Sequence, residues 1–362
     1  PLKNLLERKD LKNLPHEKGF LSKNANGEII DGGQPDYVKD LNSLPLPDYS
    51  EFKDDILNNK YSQPHRLDVL DARGCINECH FCYEQLFWPH YRSMSAKRLF
   101  EQIQKHMADF PQINYFYFNG LLINGDLKKL EEFCDLIIEN NVKISWAGQA
   151  TVRDDMTPEL LKKMRRAGLG WVGYGIESGS QKVLDAMNKK FTVLGAIELL
   201  KNTREAGIAF QVNMMFGFPT ETEEDFQKTL KFLVHARPYI NSILASQSFF
   251  TLEKGTYVRN HPEKFGITDS RHHLYWKADN GKNDYAARFD RYERFCRLAL
   301  ELKIPETSGI SEVKPDKHFL LGEYYLYDKN YAKALEHFEI SEATEYKSKE
   351  VYERIAACKK EL

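Results

Sequence analysis

The sequence predicts an α/β protein whose centre is a partial (β/α)6 TIM-type barrel, with an extended connector before it and an α-helical segment after it. Three observations predict this fold. Short apolar stretches alternate with amphipathic ones over residues 66–300, which is typical of a parallel sheet wrapped by helices. Residues 1–65 are rich in prolines and turn dipeptides. Residues 301–362 place large and small side chains at the offsets of a helix pair.

The connector, residues 1–65, shows no sustained periodicity. Its prolines include Pro15, Pro35, Pro45, Pro47 and Pro64. An Asn-Gly turn followed by apolar residues predicts a small hairpin arm at residues 26–30. Because the chain begins at Pro1 and not at a methionine, we expect it to be a fragment of a longer protein.

The barrel is predicted to contain six βα units. The predicted strands are residues 67–70, 115–118, 142–146, 170–175, 210–215 and 242–245, and the predicted helices are residues 128–140, 158–167, 194–206 and 223–236. Thr222 and Asp225 predict a capping-box start for the last of these helices. In barrels of this type the functional groups lie at the C-terminal ends of the strands.

The C-terminal segment resembles a tetratricopeptide repeat. The matching residues are Leu321, Gly322, Tyr325, Tyr331, Ala334 and Phe338. A single repeat is poorly stable because it needs a neighbour to cover its apolar face. The repeat is therefore predicted either to dock on the barrel or to continue beyond this chain, and it suggests a protein partner.

Composition excludes few classes of function. A formal net charge of -2 gives no electrostatic case for nucleic acid as an obligate partner. No apolar run approaches the length of a membrane-spanning helix, and six cysteines without a signal peptide suggest a reducing compartment. We therefore expect a cytoplasmic protein.

The most informative feature is the loop that follows the first predicted strand. It carries Cys75, Cys79 and Cys82 within eight residues. Thiolates are the ligands that soft metals and iron–sulfur clusters select. Three cysteines are one fewer than usually enclose a [4Fe–4S] cluster, so one iron would be left open for chemistry.

Other uses of these cysteines fit less well. A zinc site would need His80 or His90 as a fourth ligand, and no second pair of closely spaced cysteines is present. A disulfide framework is not typical of a chain of this length in a reducing compartment. The other three cysteines are predicted to be small buried apolar residues on helices; they are Cys134, Cys296 and Cys358.

The cysteine spacing, with Phe81 just before the last cysteine, resembles the signature of the radical S-adenosylmethionine (SAM) enzymes. The resemblance implies a [4Fe–4S] cluster on Cys75, Cys79 and Cys82, with the amino and carboxylate groups of SAM chelating the open iron. It also implies reductive cleavage of SAM to a 5′-deoxyadenosyl radical that abstracts a hydrogen atom from the substrate. A one-electron reductant of flavodoxin or ferredoxin type would supply the electron.

The resemblance also implies SAM contacts near the first two strands. Phe81 would pack near the adenine, and Tyr83 begins the helix after the loop, where core packing is an equal alternative. Asn119 and Gly120 stand where the family usually has a Gly-Gly-Glu-like turn that holds the SAM amino group, so the match there is partial. Departures at this turn occur in the cobalamin-dependent branch.

Further contacts are implied past the third, fourth and fifth strands. Gln149 and Arg153 could meet the SAM carboxylate or ribose, although Arg153 could equally be a surface residue at a helix start. Glu177 and Ser178 would contact SAM, because an unused carboxylate would be costly to bury there. The last two residues implied, in the segment that lines the adenine in the family, are Met215 and Gly217.

Residues 40–49 resemble the linker that joins a cobalamin-binding domain to the barrel in the cobalamin-dependent branch. That domain is not in this chain, so cobalamin and methyl transfer to an unactivated carbon of a small-molecule or peptide substrate are expectations. Two other functions remain open. One is an iron–sulfur electron carrier that uses no SAM, and the other is a tetratricopeptide-type interaction protein with a degenerate barrel.

Overall fold

The computed structural model describes residues 18–24, 26–58, 66–88, 90–245, 249–304, 317–344 and 348–362. The chain divides into two compact units, residues 1–45 and 46–362. In the first unit, strands β1 (Leu21–Lys23) and β2 (Ile29–Asp31) pair antiparallel, so the predicted hairpin arm is confirmed.

The second unit contains all the other labelled elements. Its strands are β3 (Arg66–Val69), β4 (Ala72–Arg73), β5 (Arg92–Ser93), β6 (Tyr115–Phe118), β7 (Ser145–Ala150), β8 (Leu169–Glu177), β9 (Ala209–Met214), β10 (Ser242–Ala245), β11 (Ile267–Asp269) and β12 (Lys277–Ala278). Its helices are α1 (Lys53–Leu57), α2 (Glu84–Phe87), α3 (Ala96–Asp109), α4 (Leu127–Glu139), α5 (Pro158–Arg166), α6 (Gln181–Ala186), α7 (Val193–Glu205), α8 (Glu223–Ala236), α9 (Tyr257–Asn260), α10 (Tyr285–Glu301), α11 (Lys317–Tyr327), α12 (Tyr331–Ala343) and α13 (Lys349–Glu361).

The centre of this unit is a sheet of six parallel strands in the order β10-β9-β8-β7-β6-β3. Neighbours in the sheet are also neighbours along the chain, as expected for successive βα units. The predicted α/β fold with six βα units is thereby confirmed. All six strands therefore end at the same edge, where the loops that carry the candidate residues begin.

The third strand of the sheet differs from its prediction. Residues 142–146 alternate in polarity and were predicted as the strand, but β7 runs from Ser145 to Ala150. Its second half, Ala-Gly-Gln-Ala, has a low intrinsic preference for strands. It is extended because β7 is central and hydrogen-bonds to β6 on one side and to β8 on the other.

Four of the helices around the sheet begin at an N-cap residue whose side chain accepts a backbone hydrogen bond. Ser95, Asp126, Thr157 and Thr192 each accept a hydrogen bond from a backbone N–H in the first turn of α3, α4, α5 and α7. Thr222 and Asp225 form the predicted capping box at the start of α8.

The core lies between the sheet and these helices. Outward-facing aromatic residues of the central strands fill it: Phe118 stacks on Trp146 with ring centroids 4.9 Å apart, and Phe133 of α4 meets both rings. These residues are fully buried. Their apolar contacts hold the strands in a fixed position beneath the loops.

The C-terminal helices pack on α10. The Tyr324 hydroxyl donates to Asp284 at 2.9 Å, and Lys317 pairs with Glu293 at 2.6 Å. Between α11 and α12, a Cβ on Gly322 would lie 2.6 Å from the ring of Phe338, so only glycine fits that contact. The segment is helical and docked, while its identity as a tetratricopeptide repeat stays a prediction. Among the described residues no helix is long and apolar enough to cross a membrane.

Candidate cofactor-binding site

A cavity of about 430 Å³ opens at the C-terminal edge of the sheet. Its lining combines thiols, two carboxylates, one ammonium group, amides and apolar side chains. The lining residues are Cys75, Asn77, Cys79, Phe81, Cys82, Glu84, Leu121, Leu122, Gln149, Ala150, Thr151, Gly175, Glu177, Lys189 and Asn213. The cavity therefore brings together residues from the loop after β3 and from the ends of β6 to β9.

The cysteine loop enters the site through a tight backbone turn. Gly74 has φ +81°, and a Cβ at this position would lie 2.4 Å from the carbonyl oxygen of His90. Only glycine can adopt this conformation in this space. The turn directs all three cysteines to the same cavity, and none of them forms a disulfide.

The histidines offered for a zinc site do not line this cavity. The Nδ1 atom of His80 lies 2.8 Å from the carbonyl oxygen of Ala186, and its ring stacks on Tyr257 with centroids 4.3 Å apart. His90 is exposed. Within the described ranges, no three His, Cys, Asp or Glu side chains are grouped so that they could hold one metal ion.

The thiols sit in an environment that resists ionisation. Burial raises the pKa of Cys75, Cys79 and Cys82, and that of Cys79 reaches about 11 although Lys189 opposes the change. Metal ligation requires thiolates, so binding of a metal centre here must release protons.

A buried ion pair stands beside the thiols. Lys189 Nζ lies 3.3 Å from Glu177 Oε1 and donates to the carbonyl oxygen of Gly175 at 3.1 Å. The two side chains are only 8% and 15% exposed. Burial lowers the pKa of Lys189, but Glu177 and the thiols raise it by more, so the ammonium group stays charged. The pair gives the cavity both signs of charge.

Glu177 reaches the cavity through an unusual backbone conformation. It has φ +71°, and the pairing of β8 with β9 shifts register between Gly175 and Glu177. A non-glycine residue in the left-handed region costs about 1–2 kcal/mol. Such outliers cluster at functional sites.

Polar side chains continue across the inner face of the sheet. Gln149 donates to the Tyr117 hydroxyl at 3.2 Å, Asn213 donates to Gln149 at 3.4 Å, and Gln211 donates to Asn213 at 2.9 Å. We call these four residues the amide row. Gly173 lets the row cross β8, because a Cβ there would lie 2.3 Å from Gln149 Oε1.

Six of the thirteen predicted site residues line the cavity. They are Cys75, Cys79, Cys82, Phe81, Gln149 and Glu177. The ring of Phe81 lies 5.4 Å from Lys189 Nζ, so it covers one side of the ion pair. The other seven predicted residues have different surroundings.

Three of those seven lie near the cysteine loop or the β6 turn. Tyr83 is 46% exposed and packs edge-on against Phe87. Asn119 is exposed and donates weakly to Asp68. The N–H of Gly120 donates to the carboxylate of Asp71 at 3.0 Å, and this hydrogen bond holds the turn after β6 against Asp71. The structure does not bring these residues to the cavity.

The remaining four are held by neighbouring side chains. Arg153 pairs with Asp155 and donates to two backbone carbonyls. Ser178 is buried against Thr229. Met215 packs in a separate apolar cluster, and a Cβ on Gly217 would lie 2.1 Å from the side chain of Arg288. Their polar groups and packing space are therefore used within the protein.

Sequence reasoning missed several lining residues. Lys189 follows α6, after Asn188 at φ +61°, and that turn returns its side chain to Glu177. Asn77 and Thr151 hydrogen-bond to each other at 2.9 Å. Glu84 and Asn213 also line the cavity. Lys189 stands in an Asn-Lys-Lys run, which is typical of an exposed loop, so the sequence gives no signal for it. Asn213 stands at the end of a predicted strand, and that position could have predicted it as a lining residue.

Comparison with known proteins shows what this chain is similar to. Residues 69–233 match the Radical SAM superfamily. The chain is 31% identical over 212 residues to the anaerobic magnesium-protoporphyrin IX monomethyl ester cyclase of Cereibacter sphaeroides, covering 56% of this chain and 34% of that protein. It is 26% identical to an uncharacterized methyltransferase of Pyrococcus horikoshii, covering 59% of this chain and 46% of that protein. The chain thus spans less than half the length of these relatives.

Solved structures show the same fold. The cobalamin-dependent S-adenosylmethionine radical enzyme OxsB, with aqua-cobalamin bound, gives a TM-score of 0.59 at 15% identity over 93% of this chain and 54% of that one. The radical S-adenosylmethionine methyltransferase TsrM from Kitasatospora setae gives 0.51 at 12% identity, over 68% of this chain and 54% of that one.

Proposed function

We propose that this chain, which carries a radical SAM domain, binds a [4Fe–4S] cluster through Cys75, Cys79 and Cys82 and binds SAM in the adjoining cavity. The observation that carries the proposal is the lining of one cavity by three unpaired thiols and by the Glu177–Lys189 ion pair. Thiols are the ligands that the cluster needs, and the ion pair offers partners for the charged and hydroxyl groups of SAM.

The residues present fit the cluster. Three cysteines leave one iron without a protein ligand, which is the position where SAM would bind. The thiols lie on one loop and face one cavity whose size is usual for a small-ligand site. When bound, the cluster supplies the electron that cleaves SAM to methionine and a 5′-deoxyadenosyl radical, which abstracts hydrogen from the substrate.

Each side chain then has a role that follows from its charge and position. Lys189 is a buried cation and holds the SAM carboxylate. Glu177 accepts hydrogen bonds from the ribose hydroxyls, and Gln149 adds an amide beside them. Phe81 gives the adenine an apolar contact. Leu121 and Leu122 keep water away from the methionine end.

For the reaction, we propose cobalamin-assisted methyl transfer to an unactivated carbon of a small-molecule or peptide substrate. The methyltransferase name of the Pyrococcus relative and the fold shared with the cobalamin-dependent OxsB support it. A flavodoxin or ferredoxin type of carrier would supply the electron. We also propose a cytoplasmic location, because all six cysteines are free, and a protein partner for α11 to α13.

The test is anaerobic reconstitution of the cluster, followed by reduction with dithionite in the presence of SAM. We expect 5′-deoxyadenosine as product and a change in the electron paramagnetic resonance spectrum of the reduced cluster when SAM is added. A fully loaded cluster that does not respond to SAM would contradict the proposal and favour an iron–sulfur electron carrier.

A further inference from the structure

The cavity contains a second carboxylate that the proposed function leaves unused. Glu84 is the first residue of α2, lies two residues after Cys82 and lines the cavity with it. Glu177 is neutralised by Lys189. Among the residues that the structure describes, no hydrogen bond or ion pair reaches the carboxylate of Glu84.

Glu84 lines the cavity together with the three thiols, which become thiolates when they ligate a metal centre. A carboxylate next to thiolates is repelled by them. Helix α2 has only four residues, so its own N-terminus compensates little.

The described residues of the turn after β6 present no carboxylate to the cavity. Asn119 lines a different cavity, with Asp68 and Tyr49. The N–H of Gly120 is bound to Asp71, and the next residues to line the cofactor cavity are leucines. The turn after β6 therefore provides no acidic side chain for an amino group.

We infer that Glu84 accepts a hydrogen bond from the amino group of SAM and so positions the methionine end at the open iron. This inference rests on the proposed function. Lys189 then holds the carboxylate of the same amino acid group, and the two protein charges of opposite sign fix its orientation.

The test compares Glu84→Gln with the unchanged protein, both with the cluster loaded, by equilibrium dialysis under anaerobic conditions. Two probes are used: SAM, and 5′-methylthioadenosine, which lacks the amino acid group. We expect the variant to bind SAM about tenfold more weakly, because the amide oxygen of glutamine is a weaker acceptor than a charged carboxylate, and to bind methylthioadenosine unchanged. Glu78→Gln is the matched control, since Glu78 is an exposed glutamate of the same loop that lines another cavity.

The outcomes separate the inference from the proposed function. Equal SAM affinity of Glu84→Gln and the unchanged protein overturns the inference alone. An equal loss for both probes, or loss of the cluster, also overturns it, because Glu84 would then support the cavity and not the amino group. If the unchanged, cluster-loaded protein fails to bind SAM, the proposed function fails with it.

Discussion

Two loops leave the same edge of the sheet and use their polar groups in opposite ways. The loop after β3, residues 74–83, leaves three thiols unpaired at a cavity. The loop after β9, residues 215–222, is bound to α10 through an ion pair between Glu221 and Arg291 at 3.0 Å. Within the loop, Glu221 also accepts a hydrogen bond from the N–H of Gly217 at 2.8 Å. Both loops contain a glycine at positive φ, Gly74 and Gly217.

The difference separates a binding loop from a supporting loop. Both sequences look like cofactor motifs, with glycine and aromatic residues at the end of a strand. In the loop after β9, however, the polar groups are bound and the space over Gly217 is filled by Arg288. The side chains of the loop after β9 pair with neighbouring groups and so add stability, whereas the thiols of the loop after β3 have no disulfide partner and stay available to a metal centre. Three variants test this division.

The largest effect is expected from Cys79→Ala. Removing one of three ligands should abolish cluster binding, because two thiolates cannot hold the centre. Iron and sulfide content after reconstitution measures this. Cys134→Ala is the control, since Cys134 is buried in α4 away from the cavity, and it should load normally. Normal loading of Cys79→Ala would remove the cysteine loop from the proposed site.

The next effect concerns the supporting loop. Gly217→Ala should destabilise the protein by about 3 kcal/mol, because the new Cβ clashes with Arg288 and the left-handed φ of +77° is strained. Gly207→Ala has a similar φ of +75° but meets no atom closer than 3.9 Å, so it should cost only about 1 kcal/mol. Urea unfolding measures both, and equal costs would mean that the close contact with Arg288 relaxes freely.

The smallest effect is a pH dependence. Burial raises the pKa of Glu221 to about 7, although Arg291 and the N–H of Gly217 oppose it. The folded protein thus favours the protonated acid, and this stabilisation is lost as pH rises from about 5 to 8. Relative to Glu221→Gln, the unchanged protein should lose about 2 kcal/mol over that range in urea unfolding.

Glu224→Gln, a substitution at an exposed position in the first turn of α8, three residues after Glu221, is the control and should leave the pH profile unchanged. A profile of Glu221→Gln that runs parallel to that of the unchanged protein would show that Glu221 stays ionised in the fold.

The sequence allowed the sheet and part of the cavity to be predicted, because the ends of parallel strands meet at one edge. That rule located Gln149 and Glu177, and the cysteine spacing located the loop. It could not locate Lys189, whose side chain returns after a turn at Asn188. Nor could it show that Arg153 is held by Asp155, or that Ser178 is buried against Thr229, because those contacts depend on tertiary packing.

The amide row has a consequence for the kind of ligand that this face of the sheet can accept. Tyr117, Gln149, Asn213 and Gln211 bind one another in sequence, so each already uses part of its hydrogen-bonding capacity on a neighbour. A hydrocarbon ligand on this face would displace the water that hydrogen-bonds to the unused donors and acceptors of the amide row, and it could not replace those hydrogen bonds. A ligand with hydroxyl or amide groups could replace them. A polar surface of this kind rejects a ligand that lacks a polar group strongly. An apolar pocket lined by leucines rejects a ligand that carries an extra polar group much less strongly.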